Sequence, residues 1–106
     1  MAKYLLQASY TAEGAKGLAK AGGSSRRAAV DEVLKSVGGK LEVFYFAFGE
    51  SDAYVIFEAP DAVACAAVSL AVNASGAVRS KTTVLLTTEE MDQAAKKTVR
   101  YRPPGQ

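Results

Sequence analysis

The chain moves between two hydrophobic rhythms. From Lys3 to Tyr10, the residues Tyr4, Leu6, Ala8 and Tyr10 alternate with Leu5, Gln7 and Ser9, a period of two that predicts a strand. Thr11 is placed to cap a helix over residues 12–21, which Gly14 and Gly17 weaken and Gly22-Gly23 breaks. Ser24 or Ser25 is the expected cap of a second helix. Along it Val30, Val33, Leu34 and Val37 repeat at i, i+3, i+4 and i+7, one apolar stripe. Gly38-Gly39 ends it, because glycine takes the left-handed closing conformation without a Cβ clash. Residues 41–48 and 53–59 read as strands about a tight turn, Gly49-Glu50-Ser51-Asp52, which predicts a hairpin. Asp61 caps a helix over 62–74 that closes near Ser75-Gly76, and Val78 to Leu86 is the last strand. Thr87 and Glu90 stand at capping-box spacing before a short helix reaching about Lys97. The tail from Val99 holds Pro103-Pro104-Gly105 and is irregular.

The order β-α-β-β-α-β plus a C-terminal helix predicts an α+β, ferredoxin-like domain over residues 1–98 with a tail at 99–106. Both long helices fall on one face of the sheet. The other face should then be polar, yet it is not. Alternation in the second strand sets Leu41, Val43, Tyr45 and Ala47 against Phe44, Phe46 and Phe48; in the third, Tyr54 and Ile56 oppose Ala53, Val55 and Phe57. Contiguous aromatic and aliphatic residues on both faces point to a second sheet on the open one, most simply that of a two-fold partner. Residues 62–78 hold no charge. The stretch is too short and too polar at its end to span a bilayer. Its small residues, Ala67 among them, suit either an alanine-rich surface helix or a second contact between copies, giving more than a dimer.

Composition narrows the chemistry. The 106 residues are 49% hydrophobic and 23% charged, with a net charge of +2, the balance of one globular domain. There is no histidine, which excludes Ser-His and Cys-His couples, His-ligated zinc and a proximal histidine for haem. No cofactor and no metal site are expected. The lone Cys65 makes no internal disulfide and suits a reducing, cytoplasmic setting; no leader segment is read at the N-terminus. Residues 1–30 carry five bases and one acid, residues 31–60 two bases and six acids, and residues 61–106 six bases and four acids. The split is uneven, but a duplex-binding surface would concentrate more positive charge, so nucleic acid is not an expected partner.

Three constellations carry candidate chemistry. Gly22-Gly23-Ser24-Ser25-Arg26-Arg27 sits at a helix start, where free amides, hydroxyls and arginine forks suit a phosphate or carboxylate; ordinary capping beside a solvated basic turn explains the same residues. Tyr4, Tyr10, Tyr45 and Tyr54 could line a pocket with Asn73 and Arg79 as polar partners, or pack in the core and at an interface. Asp52, where turn becomes strand, is a candidate base, or an acceptor for backbone amides. Cys65 among alanines reads as a small buried hydrophobe.

The runs Tyr4-Leu5-Leu6-Gln7-Ala8-Ser9-Tyr10-Thr11, Gly22 to Arg27 and Phe44-Tyr45-Phe46-Ala47-Phe48-Gly49-Glu50-Ser51-Asp52 resemble the GYD-domain family of small bacterial and archaeal proteins. So do Ser69 to Val72, Val78 to Thr83 and the Thr-Thr-Glu-Glu cap. The chain departs from the family at Ser51, where the tyrosine of the family name is expected; Gly49 and Asp52 are kept. The resemblance implies a ferredoxin-like fold pairing as a dimeric α/β barrel, and no established activity. The expected function is binding or sensing of a small hydrophobic or aromatic ligand in a tyrosine-lined pocket of a homo-oligomer. The alternatives are a cofactor-independent monooxygenase or isomerase using Tyr45, Tyr54 and Asp52, with Arg79 orienting an anion, and a purely structural assembly unit.

Overall fold

The computed structural model describes residues 1–106. Four antiparallel strands, β1 (Ala2–Tyr10), β2 (Lys40–Phe46), β3 (Ala53–Ala59) and β4 (Val78–Leu85), form one sheet in the order β2-β3-β1-β4. Helices α1 (Ala12–Ala21) and α2 (Gly23–Ser36) join β1 to β2, α3 (Ala62–Ala74) joins β3 to β4, and α4 (Thr88–Ala95) follows β4. This is the expected α+β order, with the first and last strands of the βαββαβ unit side by side.

Alternation decides which face is packed. Tyr4, Leu6 and Ala8 of β1 and Ala53, Val55, Phe57 and Ala59 of β3 are buried beneath the helices, with Leu34 of α2 and Cys65 and Val68 of α3 closing the core. The Tyr4 and Phe57 rings stack at 5.5 Å. Complete burial of Phe57 and Leu34 stabilises the core by roughly 1.5–3 kcal/mol each. Burial also pushes the Cys65 thiol above its usual range, which keeps it protonated and poorly nucleophilic at neutral pH.

The joints are made by side-chain caps. Thr11 Oγ1 accepts the Gly14 amide (3.2 Å) and donates to the Gly76 carbonyl (3.0 Å), while the Thr11 amide donates to Ala77 O (3.0 Å). The start of α1 is thereby pinned to the α3–β4 turn. Asp61 Oδ1 accepts from Ala64 N at 2.8 Å, and Thr87 and Glu90 form the expected capping box at 3.0 and 2.9 Å. Those hydrogen bonds to Thr87 hold the Glu90 carboxyl below its usual range. At the end of α2 the amides of Gly38 and Gly39 donate to Lys35 O (3.1 Å) and Leu34 O (2.8 Å), a Schellman close.

Three expectations need correction. The N-cap of α2 is Gly22, with no side-chain hydrogen bond; Ser24 and Ser25 lie inside its first turn. The tight turn at 49–52 is a wider loop, because β2 ends at Phe46 and β3 begins at Ala53. A register shift between Leu41 and Val43 places Leu41 opposite Phe57 and Val43 opposite Ile56. Leu41 therefore faces the helices while Val43 and Tyr45 face the other way, because the extra residue of a β-bulge reverses the alternation.

No helix covers that other face. It carries Leu5, Val43, Ile56, Tyr45 and Tyr54, with Tyr45 70% exposed. Nor does α4 pack on the core: every residue from Thr88 to Gln106 is exposed. The radius of gyration is accordingly 16.8 Å, against about 13 Å for a compact chain of this size.

Gly14 and Gly17 sit three apart on α1 but meet different surroundings. A Cβ on Gly14 would lie 1.9 Å from the Ala77 carbonyl oxygen, whereas one on Gly17 would meet nothing within 4 Å. Gly14→Ala should therefore destabilise the fold by about 1–3 kcal/mol through overpacking. Gly17→Ala should stabilise it by about 1 kcal/mol through helix propensity. Urea unfolding of the two variants, with opposite signs expected, checks this.

Candidate functional site

α1 lies over the sheet without settling into it. None of its ten residues is buried, and two apolar hollows flank it. The first, about 260 Å³, opens between α1, α2 and the start of β4; Gly14, Gly17 and Leu18 form its α1 wall, and Tyr10, Ala29 and Val78 lie opposite. The second, about 300 Å³, lies between α1 and the β2–β3 hairpin, against Phe46, Phe48 and Asp52. Tyr10 and Leu18 line both.

The chain builds this arrangement locally. Gly22 alone separates α1 from α2, at φ +87°, a conformation that residues with a Cβ rarely adopt. The reversal sets α1 across from α2. Gly17 then leaves open the space a side chain would enter, whereas Gly14 lets the Ala77 carbonyl approach.

Arg26 forms part of the cleft wall. Its Nε is shielded from solvent and meets no hydrogen-bond acceptor. No carboxylate lies within ion-pair distance either, since the chain's ion pairs are Lys3 with Glu42 and Glu58, and Lys35 with Asp31. Arg26 also borders a small inner hollow of about 50 Å³ whose other nine lining residues are hydrophobic. The arginine thus stands between the apolar core and the cleft.

The other candidate residues are dispersed. Tyr4 is a core residue stacked on Phe57. Tyr45 and Tyr54 are cross-strand partners on the open face, whereas Asp52 borders the hollow beside α1, so the three do not converge. Asp52 Oδ2 accepts the Tyr10 amide at 2.9 Å, which matches the backbone-acceptor reading. Asn73 ties α3 to β4, donating to Ser69 O (2.8 Å) and accepting from Ser80 N (2.9 Å). Ser24 and Arg27 are exposed and line neither hollow, whereas Ser25 and Arg26 line the first. No group of three carboxylate or cysteine side chains comes together that could hold a metal ion, and no helix is long and apolar enough to cross a membrane.

Arg79 lies on the open face in a polar hollow of about 600 Å³ with Gln7, Ser9, Glu50, Ser51 and Lys81. That hollow is larger than the cleft, but it has no hydrophobic lining residue, and apolar walls are what a hydrophobic ligand needs. Sequence reasoning missed Gly17 and Leu18. The signal was two glycines inside a ten-residue helix.

The family model for the GYD domain matches residues 4–95. The chain belongs to the GYD family. No match to a curated protein and none to a solved structure accompanies it. The GYD match runs from β1 to the end of α4 and leaves out the tail from Lys96.

Asp52 therefore has a testable structural role. Asp52→Ala should lose about 1–3 kcal/mol in thermal or urea unfolding, because it strands the half-buried Tyr10 amide. Asp52→Asn keeps an oxygen acceptor and should lose less than half of that.

Proposed function

We propose that this GYD protein is a small-molecule-binding homodimer that holds an apolar or aromatic ligand beneath α1. The observation that carries this reading is the state of α1 itself. A ten-residue helix with two internal glycines is marginal alone, and this one gains no buried residue from the sheet. A ligand in the cleft would supply the missing apolar contact to Leu18 and Tyr10. Gly17 supports the same reading, because nothing steric demands a glycine there and its absent side chain is open cleft. Binding without turnover is favoured over catalysis, since Tyr45, Tyr54 and Asp52 do not share one hollow.

The open face supports the partner. Leu5, Val43 and Ile56 form a cross-strand row beside the Tyr45–Tyr54 pair. Lys3, Glu42 and Glu58 pair at one side of the face, and Arg79 and Lys81 mark the β4 edge. A second copy related by a two-fold axis presents the same strip and buries both. The exposed α4, with Met91, Ala94 and Ala95 on one stripe, gives such a partner further apolar surface to cover.

Native mass spectrometry of purified protein tests both parts. Gly17→Leu should fill the cleft and abolish retention of small molecules while leaving the fold and the dimer intact; retained mass equal to the wild type would overturn the cleft. Ile56→Glu should convert dimer to monomer, as sedimentation velocity would report. An unchanged sedimentation coefficient, or a monomeric wild type, would remove the open face as the interface.

A further inference from the structure

The cleft's chemistry is asymmetric, and the asymmetry identifies the ligand. Resting on the cleft reading above, we infer that the ligand is a carboxylate with an apolar or aromatic body, its acid group held by Arg26. The body is specified by the walls, since Leu18, Ala21, Ala29, Ala77 and Val78 offer no polar side-chain atom. The head is specified by what Arg26 lacks. A guanidinium presents five donors in a planar fork and accepts nothing. In this chain its Nε is cut off from water without an acceptor, and no carboxylate neutralises its charge.

The Nε is shielded from the cleft as it is from water, so the acid group meets the terminal Nη donors, which have no ion-pair partner in this chain, and a planar two-oxygen acceptor matches that fork better than any other small group. The Ser25 hydroxyl, in the same wall, is a further donor. Glu13 is the cleft's only acidic residue; it is exposed and within ion-pair distance of no cation, so it does not serve as the counter-ion of Arg26. The volume of about 260 Å³ admits a one- or two-ring acid and excludes larger lipids. A neutral aromatic ligand would leave Arg26 unpaired and desolvate it further.

The test uses two probes of one shape, naphthoate and naphthalenemethanol, titrated calorimetrically against the full chain, Arg26→Gln, Arg26→Lys and Gly17→Leu. Naphthoate should bind the wild type about tenfold or more tighter than the alcohol, the difference made by a charge-assisted pair. Arg26→Gln should remove that advantage while still binding the alcohol, no more weakly than the wild type because no charge is left to desolvate, which also shows that the variant folds. Arg26→Lys should fall between, since an ammonium keeps the charge and loses the fork. Equal affinity of the wild type for both probes would overturn the carboxylate assignment and leave the cleft standing. Loss of both probes in Arg26→Gln would overturn it too, showing the arginine to be a wall. Binding of neither probe by the wild type, or unchanged binding in Gly17→Leu, would overturn the cleft itself.

Discussion

A four-stranded sheet has two faces, and in this chain both are apolar while helices reach one. β1 and β3 are the central strands, and their alternation buries Tyr4, Leu6, Ala8, Val55 and Phe57 under α2 and α3. The residues between them, Leu5, Tyr54 and Ile56, are only half-buried. Hydrophobic burial is the dominant favourable term in folding, so the uncovered strip is the largest unmet demand in the molecule. The cover on the helical side is itself uneven. α2 contributes Leu34 and α3 contributes Cys65 and Val68, but α1 contributes nothing buried. The uncovered sheet face and the cleft beside α1 are both consequences of too little helix for too much sheet.

Most of the architecture was legible because its signals are local. Strands declare themselves by period two, and the caps Thr11, Asp61 and Thr87 lie where a hydroxyl or carboxylate precedes an apolar run. The Schellman close at Gly38-Gly39 is local as well. The bulge at Glu42 was not legible, since an extra residue in one strand is seen only against its partner strand. Reading β2 as regular put Leu41 and Val43 on one face. The cap of α2 was misread because serine preference describes a helix entered from loop, whereas α2 follows α1 across a single glycine. The site was least legible of all. Arg26 and Arg27 are neighbours of one type, and only the fold distinguishes the one with a shielded, unpartnered nitrogen from the one in water.

The glycines of α1 separate structural need from functional allowance. At Gly14 the Ala77 carbonyl approaches too closely for any Cβ, and the Thr11 bonds hold that approach in place. At Gly17 no atom stands in the way, so the helix is weakened there without a packing reason. The binding proposed beneath α1 would gain from this. The helix is left marginal in the free protein, and a ligand that binds the folded chain alone adds stability that rises with the logarithm of its concentration over its dissociation constant. Low local stability goes with few buried apolar contacts, and α1, capped at Thr11, buries none of its ten residues.

Ser51 bears on how the two surfaces divide the work. Where the family name leads one to expect a tyrosine, this chain has a serine that is 7% exposed, its hydroxyl 3.4 Å from the Gln7 side-chain oxygen. It borders the polar hollow with Arg79 and Lys81, on the side of the sheet away from α1. A phenol at this position would occupy that hollow and face the open sheet; it would not reach the cleft beneath α1, which the thickness of the sheet separates from it. The substitution therefore alters the open face and leaves the cleft's walls untouched. A side chain as small as serine leaves Arg79 and Lys81 beside an unfilled polar space, on the face where the second copy proposed above would sit.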